Sequence, residues 1–202
     1  MSPSRKQISS ALGITALLVG GALVLGESAR RPASEDDNHH TVPTALAAQF
    51  EALSEGGNSS CSGEFKNSIA DMPDGERIRG SCCTPMEVHR YSEQIEGLKK
   101  FKAVGGQNIA EIPDDPYDID AQLAERLIAY YDLELTAEEQ QAYDYAMLYS
   151  NEKGPCCCRC WRWFVYGGLG KYLIQNHGFT GEQLTELWNL SDGCGGDEDH
   201  QH

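Results

Sequence analysis

Two short stretches concentrate the soft donors of this chain: Cys82-Cys83-Thr84-Pro85-Met86 with His89 just beyond, and Cys156-Cys157-Cys158-Arg159-Cys160. A cysteine thiolate binds metal or attacks a disulfide, so capture of a soft metal and thiol redox chemistry are both within reach of these residues. Thiolate with thioether is a donor set that selects Cu(I), and thiolate with imidazole also suits Zn²⁺. Cys194 stands in a glycine-rich turn, Asp192-Gly193-Cys194-Gly195-Gly196, that permits close backbone approach. The candidate metal ligands are therefore Cys82, Cys83, Met86, Cys156, Cys157, Cys158, Cys160 and Cys194. Met86 reads equally well as a core residue, and His89 reads better as a surface or hydrogen-bonded histidine. Cys61 lies at the edge of a polar stretch, and its expected fate in an exported domain is a disulfide.

The elements that would position these residues are helical. Thr84-Pro85-Met86-Glu87 has the residues of an N-cap, a first-turn proline and a capping box. Val88, Tyr91, Ile95 and Leu98 follow at helical spacing, and the pattern fades at Gly105-Gly106. Asp118 or Asp120 can cap a helix through Leu123, Leu127, Ile128 and Tyr131. Thr136 with Glu139 predicts a helix through about Tyr149, and Thr180 with Gln183 a short one ending at Gly193. Gly154-Pro155 breaks the chain before a predicted helix from Cys156 to Gln175. At about 100° per residue such a helix would put Cys156, Cys157 and Cys160 on one face and turn Cys158 away. Both cysteine clusters would then start helices, where unpaired N–H groups favour thiolate. With no sustained two-residue alternation, the expectation is an all-α fold, a compact bundle of four or five short helices behind an N-terminal membrane helix.

Arg5-Lys6 precede an uncharged, largely apolar run from Gln7 to Gly26, near the roughly 20 residues that a membrane-crossing helix needs. The A-x-A-like cleavage site of a signal peptide is poorly represented at Glu27-Ser28-Ala29, so an uncleaved signal anchor is favoured over a cleaved signal peptide. The expected organisation is an anchor or signal peptide over 1–31, a disordered tether over 32–60 in which only Ala45 to Leu53 could form a short helix, a cysteine-rich domain over 61–195 and an acidic tail over 196–202. The domain would lie outside the cytoplasm, or be secreted if the anchor is cleaved. His39-His40, His200 and His202 read as solvated residues of the tether and tail.

Among the 202 residues are 16 basic and 31 acidic side chains, for a net charge of −15. Residues 1–31 carry +3 and residues 32–60 carry −5, which leaves −13 on the domain and tail. Such a balance excludes a nucleic-acid-binding surface, which needs clustered cations. The cysteine spacings also exclude several chemistries. Trp161 rather than histidine follows Cys160, against c-type haem attachment, and ferredoxin spacings are absent. The acidic stretch Asp114 to Asp120 has proline at its third position and fails as an EF-hand loop. Trp161, Trp163, Phe164 and Tyr166 read as core aromatics. Arg159 and Arg162 stand where they would balance thiolate charge or be solvated.

The segment Pro155-Cys156-Cys157-Cys158-Arg159-Cys160 resembles the Pro-Cys-Tyr-Cys-Gly-Cys signature of a family of bacterial extracytoplasmic proteins, many of them membrane-anchored. Cys156, Cys158 and Cys160 match its alternating cysteines, while Cys157 replaces tyrosine and Arg159 replaces glycine. The chain also looks like a hypothetical family with Cys-Cys-x-Pro-Met and Cys-Cys-Cys-x-Cys-Trp motifs. The resemblance covers about six residues and implies an exported cysteine-motif protein, with no activity attached.

Three readings follow from the residues. One is a membrane-tethered protein that captures, buffers or delivers a soft metal, Cu(I) first and Zn²⁺ second, with a metal-transfer partner. Another is a disulfide-stapled structural or interaction domain, since eight is an even number and each disulfide of a small exported domain contributes about 2–4 kcal/mol. The last is a thiol redox protein using Cys157-x-x-Cys160, against which stands the missing thioredoxin-like strand pattern.

Overall fold

The computed structural model describes residues 42–104 and 108–194. The apolar run over 7–26, the histidines at 39, 40, 200 and 202 and the acidic tail lie outside the described residues. No helix among the described residues is long and apolar enough to cross a membrane.

The described chain is mostly helical, and three of its helices begin where local capping chemistry places them. Helix α4 (Ala121–Tyr130) has Asp120 as its N-cap, whose carboxylate accepts from the Leu123 N–H. Helices α5 (Ala137–Tyr149) and α7 (Gly181–Leu190) open with complete capping boxes, Thr136 with Glu139 and Thr180 with Gln183. In each case the side chain satisfies an N–H group that the first turn leaves without a partner. Helix α3 (Val88–Val104) ends where the Gly105-Gly106 pair begins.

Helix α6 (Trp161–His177) is the centre of the core. Trp161, Val165, Tyr166, Leu169 and Leu173 are all buried along it. Helix α4 supplies Ala121, Ala124 and Leu127 to the same core, α5 supplies Tyr143 and Ala146, and α7 supplies Leu184, Leu187 and Trp188. The Trp188 indole donates to the Tyr166 carbonyl at 3.0 Å and meets the Tyr143 ring edge-on, with centroids 5.4 Å apart. Trp161 and Tyr166 are thus core residues, while Trp163 and Phe164 are half-buried.

Two features depart from the expected organisation. Strands β1 (Arg77–Arg79) and β2 (Asp118–Asp120) pair antiparallel, Ile78 opposite Ile119. Three residues each is too short for alternation to register in the sequence. Both isoleucines are buried, and Arg77 Nε donates to Asp118 Oδ1 at 2.5 Å on the outer face. The second feature is α1 (Thr44–Glu55), in the stretch assigned to the tether. It buries Leu53 against Tyr91 and Tyr117. Its Gln49 amide donates to Asp115 Oδ2 at 2.8 Å, an oxygen that also accepts from the Tyr91 hydroxyl at 2.6 Å. The folded part therefore takes in residues N-terminal to Cys61. A one-turn helix, α2 (Phe65–Ser68), follows that cysteine.

The two helix starts predicted at the cysteines are corrected. Helix α3 opens at Val88, four residues after Thr84, and α6 opens at Trp161, so Cys156, Cys157 and Cys158 lie in a bent loop. Cys160 alone stands at a helix N-terminus, as the N-cap of α6, with no side-chain cap bond.

Candidate metal centre

Four separate segments bring all eight cysteines of the chain to one place. Cys82 and Cys83 follow β1, whose end is held by the Gly80 N–H donating to the Tyr117 carbonyl at 2.8 Å. The loop of Cys156 to Cys160 joins α5 to α6, and Ser150 ties it back, its Oγ donating to the Gly154 carbonyl and accepting from the Gly154 N–H. Cys194 follows α7, with its N–H on Asp192 Oδ1 at 3.1 Å. Cys61 comes from the loop after α1. Asn58 and Ser59 both donate their N–H groups to the Arg79 carbonyl, and the Cys61 thiol donates to the Cys82 carbonyl at 2.5 Å.

Thr84 explains why the predicted cap at that position fails. Its N–H and its hydroxyl both donate to the Cys194 carbonyl, the N–H at 3.0 Å. A long-range partner has taken the side chain that would have capped α3. Glu87 stands in its place, accepting from the Arg90 N–H at 2.7 Å through its carboxylate. Thr84→Ala is expected to lower the unfolding free energy by about 1 kcal/mol, read from urea denaturation of the reduced protein. An unchanged midpoint would show that the hydroxyl does not hold Cys194.

The sulfurs form a continuous network. Sγ–Sγ distances are 3.6 Å for Cys82–Cys83, 3.8 Å for Cys82–Cys160, 3.7 Å for Cys83–Cys158, 4.0 Å for Cys83–Cys157 and 3.8 Å for Cys156–Cys160. An ion bound by thiolates at about 2.3 Å holds its sulfurs about 3.8 Å apart in a tetrahedron and about 4.0 Å apart in a trigonal plane. The five distances match those edges. Cys194 sits closer, 3.1 Å from Cys156 and 2.8 Å from Cys157. Both separations exceed the S–S bond length of about 2.05 Å.

Four groups of three sulfurs lie within 4.8 Å of one another: Cys61, Cys83 and Cys158; Cys82, Cys156 and Cys194; Cys83, Cys157 and Cys194; and Cys156, Cys158 and Cys160. No histidine or carboxylate enters these groups among the described residues. The donor set is all sulfur, and such a cluster could hold a soft metal ion.

Several expectations about these residues are corrected. Cys158 does not point away from the others, because the 156–160 loop is not helical; it stands against Cys83. Cys61, set apart in the sequence as a disulfide partner, joins the cluster. Met86 packs against the Leu53, Tyr91 and Tyr117 group, the core alternative of its two readings, and His89 is exposed in keeping with its surface reading. Cys157 and Cys160 part company as a redox pair: Cys157 sits against Cys194 and Cys83, and Cys160 against Cys82 and Cys156.

The electrostatics divide the eight thiols, favouring thiolate at Cys82, Cys157 and Cys158 and the protonated form at Cys61, Cys83, Cys156, Cys160 and Cys194. Hydrogen bonds from Cys156 pull Cys82 and Cys157 well below the usual thiol range and Cys158 down to about 6. Cys156, which keeps the proton it shares first with Cys157, is pushed far up. Partial loss of water raises Cys61 to about 12. The compensating cation is Arg162, with 0% of its surface exposed. Burial opposes its charge, and Cys82, Cys156 and Cys194 nearby offset that. Its Nη2 donates to the Gly80 carbonyl at 2.9 Å and its Nη1 to the Pro116 carbonyl, while Nε has no hydrogen-bond partner. Gly193 makes this possible, since a Cβ there would fall on the guanidinium. Arg159, by contrast, is exposed and stacks over Trp163 at 5.3 Å.

No signal in the sequence singled out Arg162 from Arg159, or Cys61 as a member. Both depend on which loops meet. The chain matches no protein-family model, no curated protein and no solved structure.

Proposed function

We propose that this protein captures a soft metal, Cu(I) first and Zn²⁺ second, in a multi-ion thiolate cluster built from Cys61, Cys82, Cys83, Cys156, Cys157, Cys158, Cys160 and Cys194. The observation that carries this reading is the spacing of the sulfurs, five contacts of 3.6–4.0 Å in a network that no histidine or carboxylate joins among the described residues. Soft thiolate ligands select Cu(I) and Zn²⁺. Neighbouring groups share Cys83, Cys156, Cys158 and Cys194, so bridging sulfurs let a few thiolates serve several ions. The apolar 7–26 run and the acidic composition support a setting in which the cluster is tethered to a membrane on its outer side, where it buffers the metal or delivers it to a partner. The likeness of the 155–160 segment to an extracytoplasmic cysteine motif points the same way.

The test is metal analysis of the full chain, reduced and loaded without oxygen. Four thiolates per tetrahedral ion predict about two equivalents of Zn²⁺, and lower coordination predicts more of Cu(I). Co²⁺ in place of Zn²⁺ would report tetrahedral sulfur sites by its absorption. Binding of less than about one equivalent of either ion would refute the reading, since a single tetrahedral site already needs only four of the sulfurs.

One observation favours a second reading. Cys194 lies 2.8 Å from Cys157, closer than an ion-bridged pair requires, and oxidation would close that contact into a disulfide. Peptide mapping of the alkylated, non-reduced protein distinguishes the two: four bridges support a stapled domain, and free thiols support a metal centre.

A further inference from the structure

The eight sulfurs are unequal in their access to solvent. Cys156, Cys160 and Cys194 are only 1%, 2% and 6% exposed, and they surround the core end of the cluster beside Arg162. Cys61 and Cys83 are exposed, and Cys158 is half-buried. Cys61, Cys83 and Cys158 form one of the groups whose sulfurs all lie within 4.8 Å, so the surface side of the cluster holds a complete three-sulfur site of its own. Cys83 links that site to the interior, with its sulfur 3.6 Å from Cys82 and 4.0 Å from Cys157. Cys158 makes a second link, through its group with Cys156 and Cys160.

We infer that Cys61, Cys83 and Cys158 form an exchange port, a three-thiolate site through which a soft monovalent ion enters the cluster and leaves for an acceptor. The inference rests on the proposed metal-capture function. Three thiolates satisfy an ion of low coordination number and leave one side open. An acceptor ligand reaches that side without opening the core. Transfer is ligand exchange: one metal–sulfur bond breaks as one bond to the acceptor forms, the ion keeps its charge, and the freed thiolate takes a proton from water. The buried sulfurs cannot exchange in this way, because an acceptor would first have to displace the loops of Cys82-Cys83 and Cys156 to Cys160. They hold the resident ions, and Cys83 passes an ion between the two layers by exchanging one sulfur at a time.

The test loads the full chain with Cu(I) in the absence of oxygen and mixes it with excess bicinchoninate, a water-soluble Cu(I) chelator. Release from the native protein is expected in two phases, a fast one from the port and a slow one from the interior. Cys61→Ser, at an exposed loop position, is expected to change the fast-phase rate by about tenfold or more, the size of effect that changes around a bound metal produce. The slow phase and the circular dichroism spectrum stay as they are. Cys194→Ser is expected to do the reverse, shrinking the slow phase and sparing the fast one. Release of all equivalents in one phase, or a fast phase unaltered by Cys61→Ser, overturns the port while leaving metal capture intact. Failure of the native chain to take up Cu(I) overturns both.

Discussion

Gly168→Ala is expected to prevent the protein from folding, because the new methyl group would be built into the backbone of α4. A Cβ at Gly168 lies 1.8 Å from the Leu127 carbonyl oxygen, 2.8 Å from the Tyr131 nitrogen and 3.0 Å from the Leu127 carbonyl carbon. All three are main-chain atoms, so no rotamer change relieves the overlap. The helices would have to separate, and Leu127, Val165, Leu169 and Leu173, each 0% exposed, would lose their packing. Overpacking a core ordinarily costs about 1–3 kcal/mol. A clash with backbone at the central helix pair belongs with the exceptional substitutions above about 4 kcal/mol, against a total stability of about 5–15 kcal/mol for a domain. Far-UV circular dichroism and a urea titration of the purified variant check this. A midpoint close to that of the native protein would show that α4 and α6 adjust without cost.

Arg162→Gln carries the second large effect. The guanidinium is buried without a carboxylate on it, and it ties the Gly80 and Pro116 carbonyls to α6. Its loss leaves two buried acceptors without a partner and removes a positive charge that favours the Cys82 thiolate, and breaking a buried charged group away from its partners costs about 3–5 kcal/mol. The expected result is a lower urea midpoint for the reduced protein with an unchanged slope. The loaded protein would also lose affinity for Cu(I) in competition with bicinchoninate, because the negative cluster has lost its nearest cation. An unchanged midpoint together with unchanged affinity would remove Arg162 from the account of the site. Arg159→Gln, on the exposed side, is the comparison in which neither quantity should move.

Much of the helical frame is legible in the sequence, and the reason is distance. A capping residue reaches a backbone group three positions away, so Asp120, Thr136 and Thr180 mark their helices without help from the rest of the chain. The same rule misleads at Thr84, where a carbonyl 110 positions distant holds the hydroxyl. It misleads again after Gly154-Pro155, where the chain turns its sulfurs toward Cys82, Cys83 and Cys194 and postpones the helix to Trp161. Ala45 to Leu53 is legible as a possible short helix, but its place in the fold is not, since its small apolar content becomes adequate only with Tyr91 and Tyr117 to receive Leu53.

From its residues alone, the chain is legible as a carrier of soft sulfur donors. The residues give the number and types of donors, argue through the charge against polyanion binding, and locate the cysteines in two runs, a glycine-flanked Cys194 and an outlying Cys61. Tertiary packing brings the runs into one cluster, adds Cys61 to it, turns Cys158 toward Cys83 and Met86 toward the core, and buries Arg162 beside the sulfurs. Local rules are read from neighbours a turn apart. A cluster whose members stand up to 133 positions from one another, Cys61 to Cys194, is fixed by the packing that brings four loops to the same end of α6.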